Sequence, residues 1–279
     1  MNIPWKLKSS IFGSIDFFNV PSVLYFLQKY VSKRSKRGNL RISPNWESHK
    51  KFLKQHRATD KVFEFGAGKN LAQNFFVSDI VTSQLVVDLN PMLDFELVNN
   101  VRHQISKIVA LKSHSEIDSL AKLASYGIEY RAPYDASKTD LRDKSLNACI
   151  STNTLEHIPK ESIVAIFSEI FRILKNDGIV SAKIDYSDHY AHTDKSISLL
   201  NYLKFDKDTW KKYNHDCHYQ NRLRHYDYIK IFKECGFVVI EEELQYEEDN
   251  IPTEVVKAFK GKDETWRATS SHILLKKSC

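Results

Sequence analysis

The chain reads as an α/β protein built on a doubly wound, mostly parallel sheet, and three observations predict this. Lys61-Val62-Phe63-Glu64-Phe65 is a short apolar strand that stops on Gly66-Ala67-Gly68, after which Leu71 to Phe76 start a helix. About twenty residues beyond Gly68, Gln84-Leu85-Val86-Val87-Asp88-Leu89 is a second strand ending in an acid, the spacing a doubly wound fold uses. Further on, helix and strand patterns keep alternating: a wide apolar stripe over 160–175 precedes the strand 179–184, and a helix over 226–235 precedes the strand 237–241.

Glycine at the turn after the first strand permits positive φ and removes the Cβ, so a ligand can approach the backbone closely. The helix that follows turns unpaired N–H groups and its positive end toward that ligand. Asp88 stands where such folds place the carboxylate that grips a ribose diol. The dinucleotide fingerprint asks for a third glycine, but Asn70 and Leu71 occupy that region, so a pyrophosphate is poorly provided for. An adenosine carrying an amino-acid tail needs no such room, and Glu64 could face its ammonium end.

At these residues the chain resembles the class I S-adenosylmethionine-dependent methyltransferases, of the small-molecule type. Glu64-Phe65-Gly66-Ala67-Gly68 looks like that family's first motif and Asp88 like its second. Pro133-Tyr134-Asp135-Ala136 resembles the segment that meets the adenine, and 145–159 resembles the fourth strand with its following turn. The resemblance spans about residues 47 to 275 and implies S-adenosylmethionine as cofactor, with S-adenosylhomocysteine as product. It further implies a seven-stranded sheet with one antiparallel strand, and cofactor contacts from Glu64, Phe65, Gly66, Ala67, Gly68, Asp88, Leu89, Asp135, Ala136 and Asn153.

Residues 1–45 precede the fold and are expected to form an N-terminal helical arm; 46–279 form the Rossmann-like domain. Phe17-Phe18 and 23–27 suggest an amphipathic helix, and 33–38 a basic turn. Ser43-Pro44 starts a helix to about Arg57, with Trp46, His49, Phe52 and Leu53 on one face. His49 is expected at the surface and Trp46 in the core, with cofactor contact the lesser reading for both. The stretch from Pro91 is long and irregular, with helical spacing from Ile117 to Ala124, and Gly127 to Tyr130 read as the third strand. Asp177-Gly178 should end the helix that starts at Lys160, and Gly236 the one before the sixth strand. Residues 268–276 read as the last strand, antiparallel to its neighbour as the family implies. The acidic stretch 241–249 reads as a solvated strand end and loop.

Residues 185–224 interrupt the alternation with a concentration of rings and charges, among them Tyr186, Tyr190, Trp210, Arg222 and Arg224. Loops after the carboxyl ends of parallel strands form the ligand crevice. The insertion therefore reads as an acceptor cap, with those five side chains as substrate contacts.

Composition bounds the rest. Apolar residues make up 42% of the 279, ample for a core. No run approaches the ~18 uninterrupted apolar residues of a membrane span, and no small-residue cleavage site follows the N-terminal apolar run. The four cysteines form no Cys-x-x-Cys pair, which suits a reduced, cytoplasmic setting. Of the net charge of +6, residues 1–60 carry an excess of +9 from 12 Lys/Arg and 3 Asp/Glu, and the remainder sums to −3. The basic excess thus belongs to the N-terminal region, and no nucleic-acid partner is expected. The oligomeric state is not encoded in any pattern found.

Methyl transfer from a sulfonium chiefly requires alignment, and a hydroxyl acceptor also needs a base or a metal. His157, just past the fourth strand, and Asp188, His189 and His192, just past the fifth, are the candidates for that work. Some relatives bind a divalent metal through Glu-x-x-Glu-His at this turn plus a later His. Glu156, His157 and either His189 or His192 would be the counterparts, but Asn153 stands at the first position, so a metal-free enzyme is expected. The turn Ser151-Thr152-Asn153-Thr154 is not the Pro-Pro-aromatic turn of amino-methylating nucleic-acid enzymes, and no cysteine follows proline as a cytosine-C5 enzyme requires. The expected activity is O-methylation of a small hydroxylated metabolite, a sugar or sugar derivative. The alternatives are N-methylation of an amino sugar or other metabolite, or a noncatalytic cofactor-binding relative.

Overall fold

A computed structural model describes residues 3–18, 42–260 and 263–278. Helix α1 spans Trp5–Phe17 and α2 spans Pro44–Gln55. Ser43 caps α2, its hydroxyl accepting from the Asn45 amide, with proline in the first turn where its missing N–H costs nothing. Strand β1 (Lys61–Phe65), α3 (Ala72–Val77), β2 (Ser83–Val87), α4 (Phe95–Ile105) and β3 (Ile128–Arg131) complete the first half. The second half contains β4 (Leu146–Thr152), α5 (Lys160–Ile173), β5 (Leu174–Asp185), α6 (Lys207–Lys211), α7 (His225–Glu234), β6 (Phe237–Tyr246) and β7 (Ala268–Lys277).

The sheet has seven strands in the order β3-β2-β1-β4-β5-β7-β6, parallel except where β7 runs antiparallel between β5 and β6. The chain starts in the middle, winds outward through β2 and β3, and returns to place β4 on the other side of β1. The order reverses between β1 and β4, and a crevice opens at their carboxyl ends. Alternation along β1 divides the core: Val62 packs with Phe52, Leu53, Phe75 and Val86, while Phe63 and Phe65 pack on the other face with Phe167, Ile170 and Phe232.

Several boundaries differ from the sequence expectation. Helix α5 stops at Ile173, and β5 starts there rather than after Gly178. Leu174 already pairs with Leu146, and the register then shifts before Ile179 meets Ala148. The irregular stretch contains a regular helix, α4, capped by Asp94, and only a 3-10 segment over Leu120–Tyr126 in place of the helical spacing from Ile117 to Ala124. Pairing with β7 carries β6 to Tyr246, so the acids 241–243 lie within a strand at the sheet edge.

His49 is fully buried, against expectation. Its Nδ1 lies 2.8 Å from Ser181 Oγ and its Nε2 2.9 Å from Thr152 Oγ1, so both ring nitrogens are satisfied inside and α2 is tied to β4 and β5. Trp46 is partly buried beside Phe76.

Residues 185–224 fold with α1 around a small aromatic core of Trp5, Phe12, Tyr190, Tyr202, Leu203 and Trp210. Trp5 meets Tyr213 edge-on at 4.8 Å, and its backbone N–H donates to Asp194 at 2.8 Å. The apolar 23–27 run and the basic turn at 33–38 lie outside the described residues. No helix among the described residues is long and apolar enough to cross a membrane.

Candidate functional site

The turn after β1 places Gly66 at φ +77 and Gly68 at φ +74, conformations that cost glycine little. The two serve different ends. A Cβ on Gly66 would run into the Thr154 side chain, whose hydroxyl donates to the Gly66 carbonyl at 3.2 Å. A Cβ on Gly68 would meet nothing within 4 Å, because that backbone faces an open crevice. The crevice encloses about 570 Å³ at the carboxyl ends of β1, β2 and β4. Phe65, Gly66 and Gly68 line it from the glycine turn and Asp88 and Leu89 from the end of β2, and Asp135, Ala136, Asn153 and His157 are also among its lining residues.

Asp88 is the buried carboxylate of this crevice. Its Oδ2 accepts from the Tyr130 hydroxyl at 3.0 Å, yet burial pushes its pKa up to about 6. Asp135 sits near the surface in a tight turn, accepting from the Ser137 amide at 2.8 Å and hydroxyl at 2.7 Å, which hold its pKa down. Glu64 departs from expectation. Its carboxylate turns to α3, accepting from Gln73 Nε2 at 3.0 Å and Asn74 Nδ2 at 2.6 Å, and neither it nor Ala67 lines the crevice. Burial raises Glu64 to about 7. Its evident work is to anchor the helix behind the glycine turn.

A second, smaller crevice of about 250 Å³ adjoins the first and shares Asn153 with it. Lys183, Asp185, Ser187, His192, Gln245 and Ser270 line it, contributed by β5, β6, β7 and the start of the insertion. Lys183 Nζ donates to Ser270 Oγ at 2.9 Å, and burial lowers its pKa. Sequence reasoning missed Lys183, Ser270 and Gln245. A lysine inside an apolar strand, two residues before Asp185, was the available signal.

Histidines gather on the boundary between the crevices. The rings of His157 and His189 lie 4.9 Å apart, and those of His189 and His192 stack at 5.1 Å. Asp185 Oδ2 stands 3.6 Å from Nε2 of both His189 and His192. The Ser187 hydroxyl donates to Asp185 at 2.6 Å, so His192 Nε2–H donates to Ser187 Oγ at 2.9 Å, leaving the His192 Nδ1 lone pair free in the neutral ring. Burial lowers the pKa of His157 and of His192. The ligand atoms of Glu156, His157 and His189 lie within 4.8 Å of one another.

The other expected site residues are held elsewhere. Asp188 is fully buried and accepts from the Tyr190 amide at 2.8 Å and Asn201 Nδ2 at 3.0 Å, so it shapes the loop rather than facing either crevice. Arg224, also fully buried, donates to the carbonyls of Tyr186, Trp266 and Ala268 and to the Tyr202 hydroxyl. Arg222 donates to the Tyr202 and Phe205 carbonyls and lies over the Trp210 and Phe259 rings. Tyr186 bonds Ser271, Tyr190 donates to the Tyr213 carbonyl, and Trp210 packs inside the cap core. Folding consumes these rings and cations: an insertion of this length must supply its own core, and aromatic side chains bury the most surface per residue.

A methyltransferase-domain family model matches residues 97–182, covering β3, β4 and most of β5. No curated protein matches the chain. Among solved structures, the 1,6-didemethyltoxoflavin N1-methyltransferase of Burkholderia thailandensis, with bound 1,6-didemethyltoxoflavin and S-adenosylhomocysteine, is 11% identical with a TM-score of 0.50. That alignment covers 100% of this chain and 92% of the other. An S-adenosylmethionine-dependent methyltransferase from Methanosarcina mazei is 12% identical with a TM-score of 0.49, over 86% of this chain and 99% of the other. At 11% identity the first of these structures speaks for the fold alone. The open backbone at Gly68 beside the buried Asp88 suits an adenosine whose tail runs along the turn. The chain thus has the class I, Rossmann-like methyltransferase fold and carries a methyltransferase-domain match over residues 97–182.

Proposed function

We propose that the enzyme methylates a hydroxyl of a small, hydroxyl-rich acceptor, a sugar or sugar-derived metabolite, seated in the smaller crevice. The observation that carries this reading is the junction of the two crevices at Asn153, with a histidine on each side: His157 on the cofactor side and His192 on the other. Lys183, Asp185, Gln245 and Ser270 offer donors and acceptors in a space too small for a polymer's backbone and suited to one polar ring.

On this reading Asp88 holds the ribose hydroxyls, Leu89 and Ala136 flank the adenine beside Asp135, and the Phe65–Gly68 backbone follows the amino-acid tail. Bound S-adenosylmethionine supplies a methyl group already activated by the sulfonium, so that as the acceptor oxygen's lone pair forms the new C–O bond, the C–S pair stays on sulfur. His192, oriented by Ser187 and Asp185, takes the hydroxyl proton on Nδ1. Lys183 and Asn153 orient the acceptor so that one oxygen faces the methyl group. We read residues 1–45 as an arm and 46–279 as the catalytic domain with its 185–224 insertion; the packing of α1 on that insertion supports treating them as one cap.

Asp185 favours the second reading, an amino-sugar acceptor whose ammonium pairs with it before deprotonation. A panel of neutral hexoses, uronates and amino sugars, assayed for S-adenosylhomocysteine release and for the methylated product by mass spectrometry, separates the two. O-methylated product, with His192→Ala lowering turnover about a hundredfold while S-adenosylhomocysteine affinity holds, is the expected result. Methyl found on nitrogen would transfer the assignment to the second reading.

A further inference from the structure

We propose that the acceptor carries a single carboxylate, held by Lys183 and Gln245 at the end of the smaller crevice away from the cofactor. The proposal rests on the O-methylation reading, under which the acceptor is a uronate or another sugar acid. Strand register builds the site. Lys183 and Asp185 are two residues apart on β5 and so share one face of the sheet. Lys183 pairs with His272 and Asp185 with Ser270 on β7, and these pair in turn with Glu243 and Gln245 on β6. Two adjacent cross-strand rows result, Lys183-His272-Glu243 and Asp185-Ser270-Gln245.

Lys183 is 8% exposed and is the only lysine or arginine among the described residues lining this crevice. An ammonium has three N–H groups. Among the described residues Lys183 uses one of them, donated to Ser270 Oγ at 2.9 Å. It forms no ion pair there; Glu243, Asp185 and Glu156 act on it only from a distance. His272, its cross-strand neighbour, adds no charge, because burial and the Lys183 cation hold its pKa down at about 3. A buried cation without a counter-ion is costly, and an anionic ligand offsets that cost.

The proton on Ser270 identifies the second donor. Having accepted from Lys183, the Ser270 hydroxyl donates to Gln245 Oε1 at 2.9 Å. The amide oxygen thus faces Ser270, and Nε2 keeps both its N–H groups for a ligand. The remaining ammonium and amide hydrogens are donors only, which suits the oxygen pair of a carboxylate. Lys183 balances one negative charge, while Asp185 and Glu243 in the same two rows repel a second, so a phosphate dianion fits poorly. Asn153, after β4, joins this crevice to the cofactor's, and β5 and β7 separate β4 from Gln245 on β6. An acceptor anchored by its carboxylate at Lys183 and Gln245 therefore extends its hydroxyls toward Asn153 and His192.

The test measures binding of D-glucuronate, D-glucose, glucose 6-phosphate and D-glycerate to the full chain saturated with S-adenosylhomocysteine, by calorimetry and ligand-observed NMR. Glucuronate should bind roughly tenfold to a hundredfold more tightly than glucose, the scale of hydrogen bonds to a charged group, and more tightly than glucose 6-phosphate. Lys183→Met should bring glucuronate down to the level of glucose, and Lys183→Arg should restore most of the preference. Gln245→Glu, an exposed edge-strand change that keeps an acceptor for Ser270, should also abolish the preference by setting carboxylate against carboxylate. Circular dichroism and S-adenosylhomocysteine affinity check folding in each variant. Glycerate binding as well as glucuronate, with no sugar methylated, would keep the carboxylate site and remove the sugar reading. Methyl transfer to a neutral hexose that binds as tightly as glucuronate would keep the sugar reading and overturn the carboxylate site. No measurable glucuronate binding, tighter binding of glucose 6-phosphate, or a preference that survives both Lys183→Met and Gln245→Glu likewise overturns the proposal.

Discussion

The protonation of Asp88 should set how tightly the enzyme holds its cofactor as pH falls. Burial raises this carboxyl to about 6, against the Tyr130 hydroxyl and the Gly68 amide, both of which favour the ionised form. Ribose hydroxyls donate to a carboxylate, so binding requires ionised Asp88. At pH 5 a group titrating near 6 is only about one-tenth ionised, and the Kd for S-adenosylhomocysteine should be about tenfold weaker than at pH 8. Glu64 titrates near 7 and changes charge across the same range, so Asp88→Asn is the comparison that isolates Asp88. In that variant the Kd at pH 8 should weaken roughly thirtyfold, the loss of about 2 kcal/mol from hydrogen bonds to a charged group. Between pH 6 and 5 its profile should lose the wild-type step.

Stability moves the other way. The folded pKa lies above the unfolded value of about 3.9, so the ligand-free folded state binds the proton more tightly. Asp88 therefore costs the free enzyme stability above pH 6, and that cost is relieved as pH falls toward 4. The shift corresponds to about 2–3 kcal/mol, so Asp88→Asn should raise the ligand-free Tm at pH 8 while abolishing most of the stabilisation by ligand. Isothermal titration calorimetry from pH 5 to 8 and thermal melts give both readings. A wild-type Kd flat over that range, or an Asn variant within twofold of wild type at pH 8, would refute the reasoning.

Three other outcomes follow from the geometry. Gly68→Val should fold with a loss of about 1–2 kcal/mol from its left-handed φ, yet bind S-adenosylhomocysteine at least tenfold more weakly, as calorimetry would show. Arg224→Met should destabilise by about 3–5 kcal/mol in urea unfolding, because it removes four buried hydrogen bonds, to three carbonyls and the Tyr202 hydroxyl. Lys183→Met should raise the acceptor's KM while leaving S-adenosylhomocysteine affinity unchanged; a cofactor defect instead would remove Lys183 from the acceptor crevice.

Local patterns in the sequence determined the sheet's elements and the first crevice. The glycine turn, the acid after β2 and the apolar stripe of α5 depend on residues within a few positions of each other, where backbone geometry and helical or strand periodicity act directly. Phe65, Gly66, Gly68, Asp88 and Asn153 were therefore legible as lining residues of one crevice. Glu64 was legible as a motif residue, but its carboxylate direction was not: Gln73 and Asn74, a helix away, claim it. The insertion shows the limit most clearly. Its rings and cations carried a recognition-like composition, yet Tyr190, Trp210 and Arg224 fold inward, because a segment without regular strands must build its own core and satisfy its own carbonyls. Meanwhile Lys183, Gln245 and Ser270 come together from three strands that only the β5-β7-β6 pairing makes adjacent. The same holds for Glu156, His157 and His189. Two are neighbours in the chain, and the third arrives because parallel pairing of β4 with β5 sets their carboxyl ends side by side, a contact that no local spacing records.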